Sequence, residues 1–255
     1  MNPGRLSGPA GDLAVDDDGQ GRPVVFVHSL AGNSAHWSSQ LAHLRPARRA
    51  VALDLRGHGQ SEPARNADYT MSAMAGDIEA VVDTLDITRF VLVGHSMGGG
   101  VALTFAGAHP GRVAGLLLLD PIGDGTQMPA SEVQSFLKQL DADYSGTIEG
   151  YWDQIAGPDK AIRERLRNDL RATPRETVVP AFREAMQFDP HPALARYRGP
   201  VMSVVTPYND QPFSLHRLGK GFPHRMVQGT GHWIQLDKPQ EFNRLLDEFL
   251  VTVSG

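Results

Sequence analysis

The sequence predicts an α/β fold: a mostly parallel, doubly wound sheet flanked by helices, with a helical cap inserted between two strands. Three observations lead there. Short aliphatic or β-branched runs alternate along the chain with stretches whose apolar residues recur at helical spacing. The runs are apolar at nearly every residue instead of every second one, which is how strands covered on both faces read. Between Pro121 and Arg198 the alternation stops and only helical patterns remain. Residues 1–120 and 197–255 are therefore expected to carry the sheet, and residues 121–196 the cap.

The elements follow in order. Residues 1–22 are polar and glycine-rich, the pattern of a frayed start or a short edge hairpin. "PVVFVH" (Pro23 to His28) is a buried strand that stops at small residues. "RAVALDLRGHGQS" (Arg49 to Ser61) is a strand followed by a glycine-rich loop. Met71 to Ile87 is a helix by its spacing. "RFVLVGHS" (Arg89 to Ser96) is a third strand, and the helix after it is ended by Pro110. "VAGLLLLDP" (Val113 to Pro121) is the fourth strand. In the cap, "SEVQSFLKQL", "IEGYWDQI", "DKAIRERLRNDL" and "RETVVPAFREAM" all read as helices. Gly199 to Pro207 and His224 to His232 supply a fifth and sixth strand, and Lys238 to Val253 a closing amphipathic helix.

The chain has 255 residues, of which 41% are hydrophobic and 21% charged, enough for one large domain with a sizeable core. The formal net charge of −5 gives no electrostatic reason to expect nucleic acid or an anionic membrane as partner. With no cysteine, thiolate catalysis, disulfides and cysteine-ligated zinc are excluded. The first residues lack the apolar stretch of a secretory signal, and "LLLL" (Leu116 to Leu119) is far too short to span a bilayer. A cytoplasmic location is the expectation.

"VLVGHSMGGG" (Val91 to Gly100) places Ser96 between a strand and a helix with glycine at 94 and 98, the G-x-S-x-G pattern of a nucleophile elbow. Small neighbours let such a turn close, and the helix N-terminus favours developing negative charge. The stretch lacks the Gly-Lys-Ser/Thr ending of a phosphate loop, and no metal-ligand spacing occurs elsewhere. "DDD" at 16–18 reads as a solvated turn.

With "HSLAGNSAHW", "DLRGHGQS", "GHSMGGG" and "GTGHWIQLDKPQEF" together, the chain resembles the α/β-hydrolase family over nearly its whole length outside the cap. The resemblance implies a cofactor-free, metal-free serine hydrolase acting through an acyl-enzyme on a small ester or lactone. Ser96 is then the nucleophile and His232 the base that a serine hydroxyl needs at neutral pH. The backbone N–H groups of Leu30 and Met97 form the oxyanion hole, with Ser29 standing where the family usually has glycine. His95, beside the nucleophile, is expected to point away from it. His28 is expected to bond loop backbone, His58 to stabilise its loop, and Asp54 to pair with Arg56 or with a loop amide.

Two residues compete as the acid behind the base. The family's usual turn after the fifth strand is degraded here to "VVTPYNDQPF": Thr206 stands where glycine would, Asn209 three residues later cannot carry the charge, and Asp210 comes one residue late. Asp120 ends the fourth strand, where a minority of the fold, some lactonases included, places its acid. Both stay open, with the degraded turn favouring Asp120. A serine rather than an aspartate at 96 argues against dehalogenases and epoxide hydrolases. Carbon–carbon bond hydrolysis and perhydrolysis share the triad, and a ligand receptor on a hydrolase scaffold is the alternative from another class. Of Met128, Phe136, Tyr144, Tyr151, Trp152, Phe182 and Met186 in the cap, two or three are expected to meet substrate. Nothing in the sequence fixes the oligomeric state.

Overall fold

A computed structural model describes residues 4–218 and 222–253. In chain order the elements are β1 (Gly4–Ser7), β2 (Asp12–Asp18), β3 (Val24–Val27), α1 (Ser38–Leu44), β4 (Ala50–Leu53), α2 (Met71–Thr84), β5 (Phe90–His95), α3 (Met97–Ala108) and β6 (Val113–Leu119). Five helices follow without a strand: α4 (Ala130–Ala142), α5 (Tyr144–Ile155), α6 (Lys160–Ala172), α7 (Arg175–Met186) and α8 (His191–Arg196). The chain closes with β7 (Val201–Val205), β8 (His224–Met226), α9 (Ile234–Asp237) and α10 (Pro239–Thr252).

The strands form one sheet in the order β1-β2-β4-β3-β5-β6-β7-β8. From β4 to β8 every neighbouring pair is parallel, while β1 and β2 add an antiparallel edge. Of the two readings of the N-terminal stretch, the edge hairpin is the one present; residues 1–3 lie outside the described residues. β3 and β5 are neighbours, and the chain winds outward from them in both directions. Their carboxyl ends thus form the switch point at which open α/β sheets bind ligands.

Side chains of the central strands alternate between two cores. Val25, Val27, Leu92, Leu116 and Leu118 meet Met74, Ile78, Val101 and Phe105 of α2 and α3. Val24, Phe26, Val91, Val93, Leu117 and Leu119 meet Leu41, Leu44, Phe242, Leu246 and Phe249 of α1 and α10. Both faces are therefore apolar, which is why the strands read as unbroken runs. Each such side chain taken out of water contributes about 1.5–3 kcal/mol.

Some elements differ from expectation. Helices α1, α8 and α9 are too short to show helical spacing in the sequence. The sixth expected strand stops at Met226 because β8 is an exposed edge, and the rest of that stretch is loop. Asp16–Asp18 end β2 instead of forming a turn; Asp16 pairs with Arg45 and Asp17 with Arg49. Asp54 takes the amide alternative, accepting from the Ser34 and Gln60 N–H groups. Arg56 turns instead to buried Asp77, at 2.7 Å. Helix α8 lies against α3, so close that a Cβ on Gly107 would stand 2.6 Å from the Ala193 Cα. Among the described residues no helix is long and apolar enough to cross a membrane.

Candidate active site

Strand register brings the site together. His95 is level with Leu119, and Leu119 with Val204. The next residues, Ser96 and Asp120, therefore leave the sheet side by side. The Ser96 N–H donates to the Leu119 carbonyl (3.0 Å) and the Asp120 N–H to that of Val204 (2.7 Å). Both residues have left-handed backbone, with φ of 55° at Ser96 and 40° at Asp120. For non-glycine residues such conformations cost about 1–3 kcal/mol and persist where the surroundings enforce them. At Ser96 the enforcement is visible: its carbonyl accepts from the Gly99 (2.9 Å) and Ile122 (3.2 Å) N–H groups, and α3 starts at the next residue. A Cβ on Gly94 would stand on the Gly98 carbonyl, and one on Gly98 would stand on the His28 carbonyl. The glycines of the motif are there because α3 crosses the strand ends at backbone contact.

His232 follows the last strand, and its Nδ1 lies 2.6 Å from Asp120 Oδ2. Asp120 is fully buried. Its other bonds come from one residue: the Thr206 N–H reaches Oδ1 at 2.7 Å, and the Thr206 hydroxyl lies 3.1 and 3.0 Å from the two oxygens. Asn209 donates to the Pro121 carbonyl at 2.8 Å. The degraded turn after β7 thus serves the aspartate of the neighbouring strand. Asp210 does not meet His232. Its carboxylate takes a two-pronged bond from Arg217 (2.7 and 2.6 Å) and a third from His216 (2.9 Å), and these hold its pKa below the usual carboxylate range.

The loop after β3 turns tightly over Ser29–Gly32, with the Gly32 N–H on the Ser29 carbonyl (2.9 Å) and Ala31 at φ 52°. His28 Nδ1 reaches the same carbonyl at 2.7 Å, and its Nε2 accepts from the Leu55 N–H at 2.9 Å. These partners put the ring proton on Nδ1. Burial pushes the His28 pKa down to about 3, so the ring is neutral. Because the Ser29 carbonyl and the Leu30 N–H share one planar peptide, two bonds on the carbonyl aim the N–H the opposite way.

Ser96, His232, Asp120, Leu30 and Met97 line one cavity of about 280 Å³. The helices between β6 and β7 supply its apolar side: Met128 precedes α4, and Tyr151, Trp152, Ile155, Phe182 and Met186 come from α5 and α7. Five of the seven aromatic and methionine candidates therefore line it. Phe136 packs behind them, 5.2 Å from Phe182 between ring centres, and Tyr144 lies under the Arg175 guanidinium. Tyr151 hydrogen-bonds Tyr208 at the β7 end, and burial raises the pKa of its hydroxyl.

The sequence model of the alpha/beta hydrolase fold matches residues 22–162, more than half of the chain. The chain belongs to this family. The dihydrolipoyllysine-residue acetyltransferase component of the acetoin cleaving system of Cupriavidus necator is 31% identical to it over 247 residues, 91% of this chain but 64% of the relative. The chain therefore spans less than two thirds of that relative's length. The sn-1-specific diacylglycerol lipase ABHD11 of Mus musculus is 28% identical over 260 residues, covering 92% of this chain and 83% of the lipase. Among solved structures, Est816, an N-acyl homoserine lactone degrading enzyme, superposes with a TM-score of 0.83 at 25% identity, over 96% of this chain and all of that one.

In this α/β hydrolase two further histidines brace the loops around the site. His95 Nε2 donates to the His232 carbonyl (2.9 Å), Gln235 lies on its Nδ1 (3.2 Å), and burial keeps its pKa well below the ordinary value. It points away from the serine, as expected, and holds the loop of the candidate base. His58 bonds the Arg56 carbonyl within its own loop, and burial lowers its pKa to about 3. Tyr208, Gln211 and Phe213 line the cavity without any signal in the sequence. They sit in the turn after β7, where Thr206 in the glycine position is the departure the sequence does show. A group of possible metal ligands, Asp124, Asp189 and His191, also comes together. Asp124 is already held by its own loop, accepting from the Thr126 N–H and hydroxyl and from the Gln127 amide, and it lies 3.0 Å from His191 Nε2.

Proposed function

We propose that this α/β hydrolase is a serine hydrolase of small carboxylic esters or lactones, with Ser96 as nucleophile, His232 as base and Asp120 as acid. The observation that carries the reading is the 2.6 Å bond from His232 to the buried Asp120, on the wall of a cavity that Ser96 also lines. With Nδ1 held by Asp120, the Nε2 of His232 is the nitrogen left to take the Ser96 proton. The hydroxyl oxygen attacks the substrate carbonyl, and the tetrahedral oxyanion is held by the Leu30 and Met97 N–H groups, each worth about 2.7–4 kcal/mol in such a role. His232 then passes the proton to the departing alkoxide. Water, deprotonated by the same nitrogen, frees the acid and restores Ser96. Asp120 stays ionised and stabilises the imidazolium.

The helices between β6 and β7 act as the cap and set substrate size. A cavity of about 280 Å³ lies at the small end of ligand sites, which run from roughly 300 to 1,000 Å³. Short acyl groups fit between Ile122, Phe182 and Met186, and long ones do not. The test is hydrolysis of p-nitrophenyl butyrate against p-nitrophenyl laurate, with fluorophosphonate labelling of Ser96. The butyrate is turned over, the laurate is not, and Ser96→Ala abolishes both turnover and labelling. A folded protein that neither labels nor cleaves any short ester or lactone is a receptor and refutes the reading.

A further inference from the structure

One carboxylate outside the site joins the helical insertion to the loop that carries the Leu30 N–H. Asp169 on α6 accepts from Asn33 Nδ2 at 3.2 Å and from His36 Nε2 at 2.9 Å. Both donors belong to the segment directly after the Ser29–Gly32 turn. Neither is free to choose another orientation. Asn33 Oδ1 already accepts from the Ala35 N–H at the start of a short 3-10 turn, so the amide group must face Asp169. His36 is buried, and with its proton on Nε2 toward Asp169, its Nδ1 is an acceptor.

That Nδ1 is buried without a partner, and so is the Ser29 hydroxyl. The two border the same space: each lies 3.1 Å from where a Cβ on Gly32 would stand. Buried polar groups left unpaired cost about 1–3 kcal/mol each, and of the groups bordering this space the Ser29 hydroxyl is the donor that His36 Nδ1 can accept from. Ser29 is the residue whose carbonyl shares a peptide with the Leu30 N–H. It also departs from the family's usual glycine, which has no hydroxyl to offer.

We propose that Asp169, through His36 and Ser29, is a positioning residue that locks the oxyanion turn, so that seating the helical insertion and forming the oxyanion hole are one event. The proposal rests on the serine-hydrolase reading of the site. It gives Ser29 a role that glycine could not fill. It also explains why an Asn and a His of the core loop converge on one carboxylate of the insertion.

The experiment compares Asp169→Asn with Asp153→Asn. An amide at 169 offers one acceptor to two donors and pushes its own NH₂ against one of them. Asp153 makes the bidentate bond to Arg167 (2.8 and 2.6 Å) wholly inside the insertion, so its loss loosens those helices without touching the turn. Asp169→Asn lowers kcat for p-nitrophenyl butyrate about tenfold with KM changed by less than about twofold, because a misaimed donor is missed only in the transition state. It weakens a trifluoromethyl ketone, whose Ser96 adduct puts an oxyanion in the hole, by the same factor. Amide exchange at residues 29–36 quickens in parallel. Asp153→Asn leaves all three unchanged. A wild-type kcat with unchanged exchange in Asp169→Asn overturns the proposal, and so does the same kcat loss in both variants. A wild-type protein without turnover refutes the reading of the site instead, and the exchange comparison then decides the lock by itself.

Discussion

The ends of β6 and β7 lie side by side, and near each an aspartate is bonded to a histidine. Asp120 lies 2.6 Å from His232 and Asp210 lies 2.9 Å from His216. By pairing distance the two could be exchanged. Their surroundings differ. Around Asp120 every further donor is neutral, and both come from Thr206, so the whole charge of the carboxylate is left for His232. Around Asp210 the Arg217 guanidinium takes both oxygens before the histidine is counted. His232 lines the cavity with Ser96; His216 stacks against His224, 4.6 Å between ring centres, away from it. A histidine–aspartate bond is thus not a catalytic pair by itself. The proposed role of His232 and Asp120 rests on the two further conditions met there: no cation competes for the carboxylate, and the histidine lines the cavity with Ser96.

The sharpest way to break this comparison is to neutralise each carboxylate. Asp120→Asn removes the charge that stabilises the imidazolium, and its amide NH₂ can hold the His232 ring in the wrong tautomer, so kcat falls on the order of 10³- to 10⁴-fold. Asp210→Asn leaves kcat within about twofold, since its charge is already neutralised by Arg217. Steady-state kinetics on p-nitrophenyl butyrate checks both. Equal losses in the two variants would void the distinction.

How the sequence reads at these two ends shows what local pattern can reveal. Ser96, Gly94 and Gly98 were legible because the turn is made from consecutive residues and its steric needs are met within the motif. His232 was legible from its glycine-flanked loop and the resemblance that the loop carries. The aspartate that pairs with His232 was not, because the choice depends on which of two strand ends faces His232, a fact of register between β6, β7 and β8. Thr206 was visible as an oddity in a turn, but its purpose lies on the neighbouring strand. The unbroken apolar strands gave away the sheet, whereas α1, α8 and α9 take their shape from packing. The contact of Asp169 with Asn33 and His36 is more distant still: it exists only when α6 is folded over the loop after β3.

The loops after β3 and β4 differ from the β7 end in how they meet acid. The strand ends behind Ser96 hold neutral, buried histidines, with His28 and His58 depressed from 6.5 to about 3 by burial. Between these values the unfolded chain binds protons that the folded chain refuses, so stability is lost as pH falls from about 6.5 toward about 3. Each histidine contributes up to about 1.4 kcal/mol per pH unit, about 3 for the pair. The Asp210 carboxyl, held below its usual range by Arg217, keeps its charge through most of that window. Urea unfolding at stepped pH measures the slope, and His58→Gln lowers it by up to about 1.4 kcal/mol per pH unit. A stability that stays level across the window would mean these rings are already charged in the folded protein.

The smallest change sharpens the comparison most. Thr206→Val keeps the shape of the residue and the backbone N–H on Asp120 but removes the hydroxyl. A hydrogen bond to a charged group is worth about 1.5–3 kcal/mol, and Asp120 is buried, so water cannot replace the donor. Part of that loss is returned, because a carboxylate with one donor fewer binds the His232 imidazolium more tightly. The net effect is a fall in kcat of about tenfold with KM nearly unchanged, well short of Asp120→Asn. An unaltered kcat would show that the Thr206 N–H and His232 alone hold the carboxylate, and that the degraded turn serves the aspartate through its backbone. A loss as large as that of Asp120→Asn would show that the hydroxyl decides whether the carboxylate faces His232 at all.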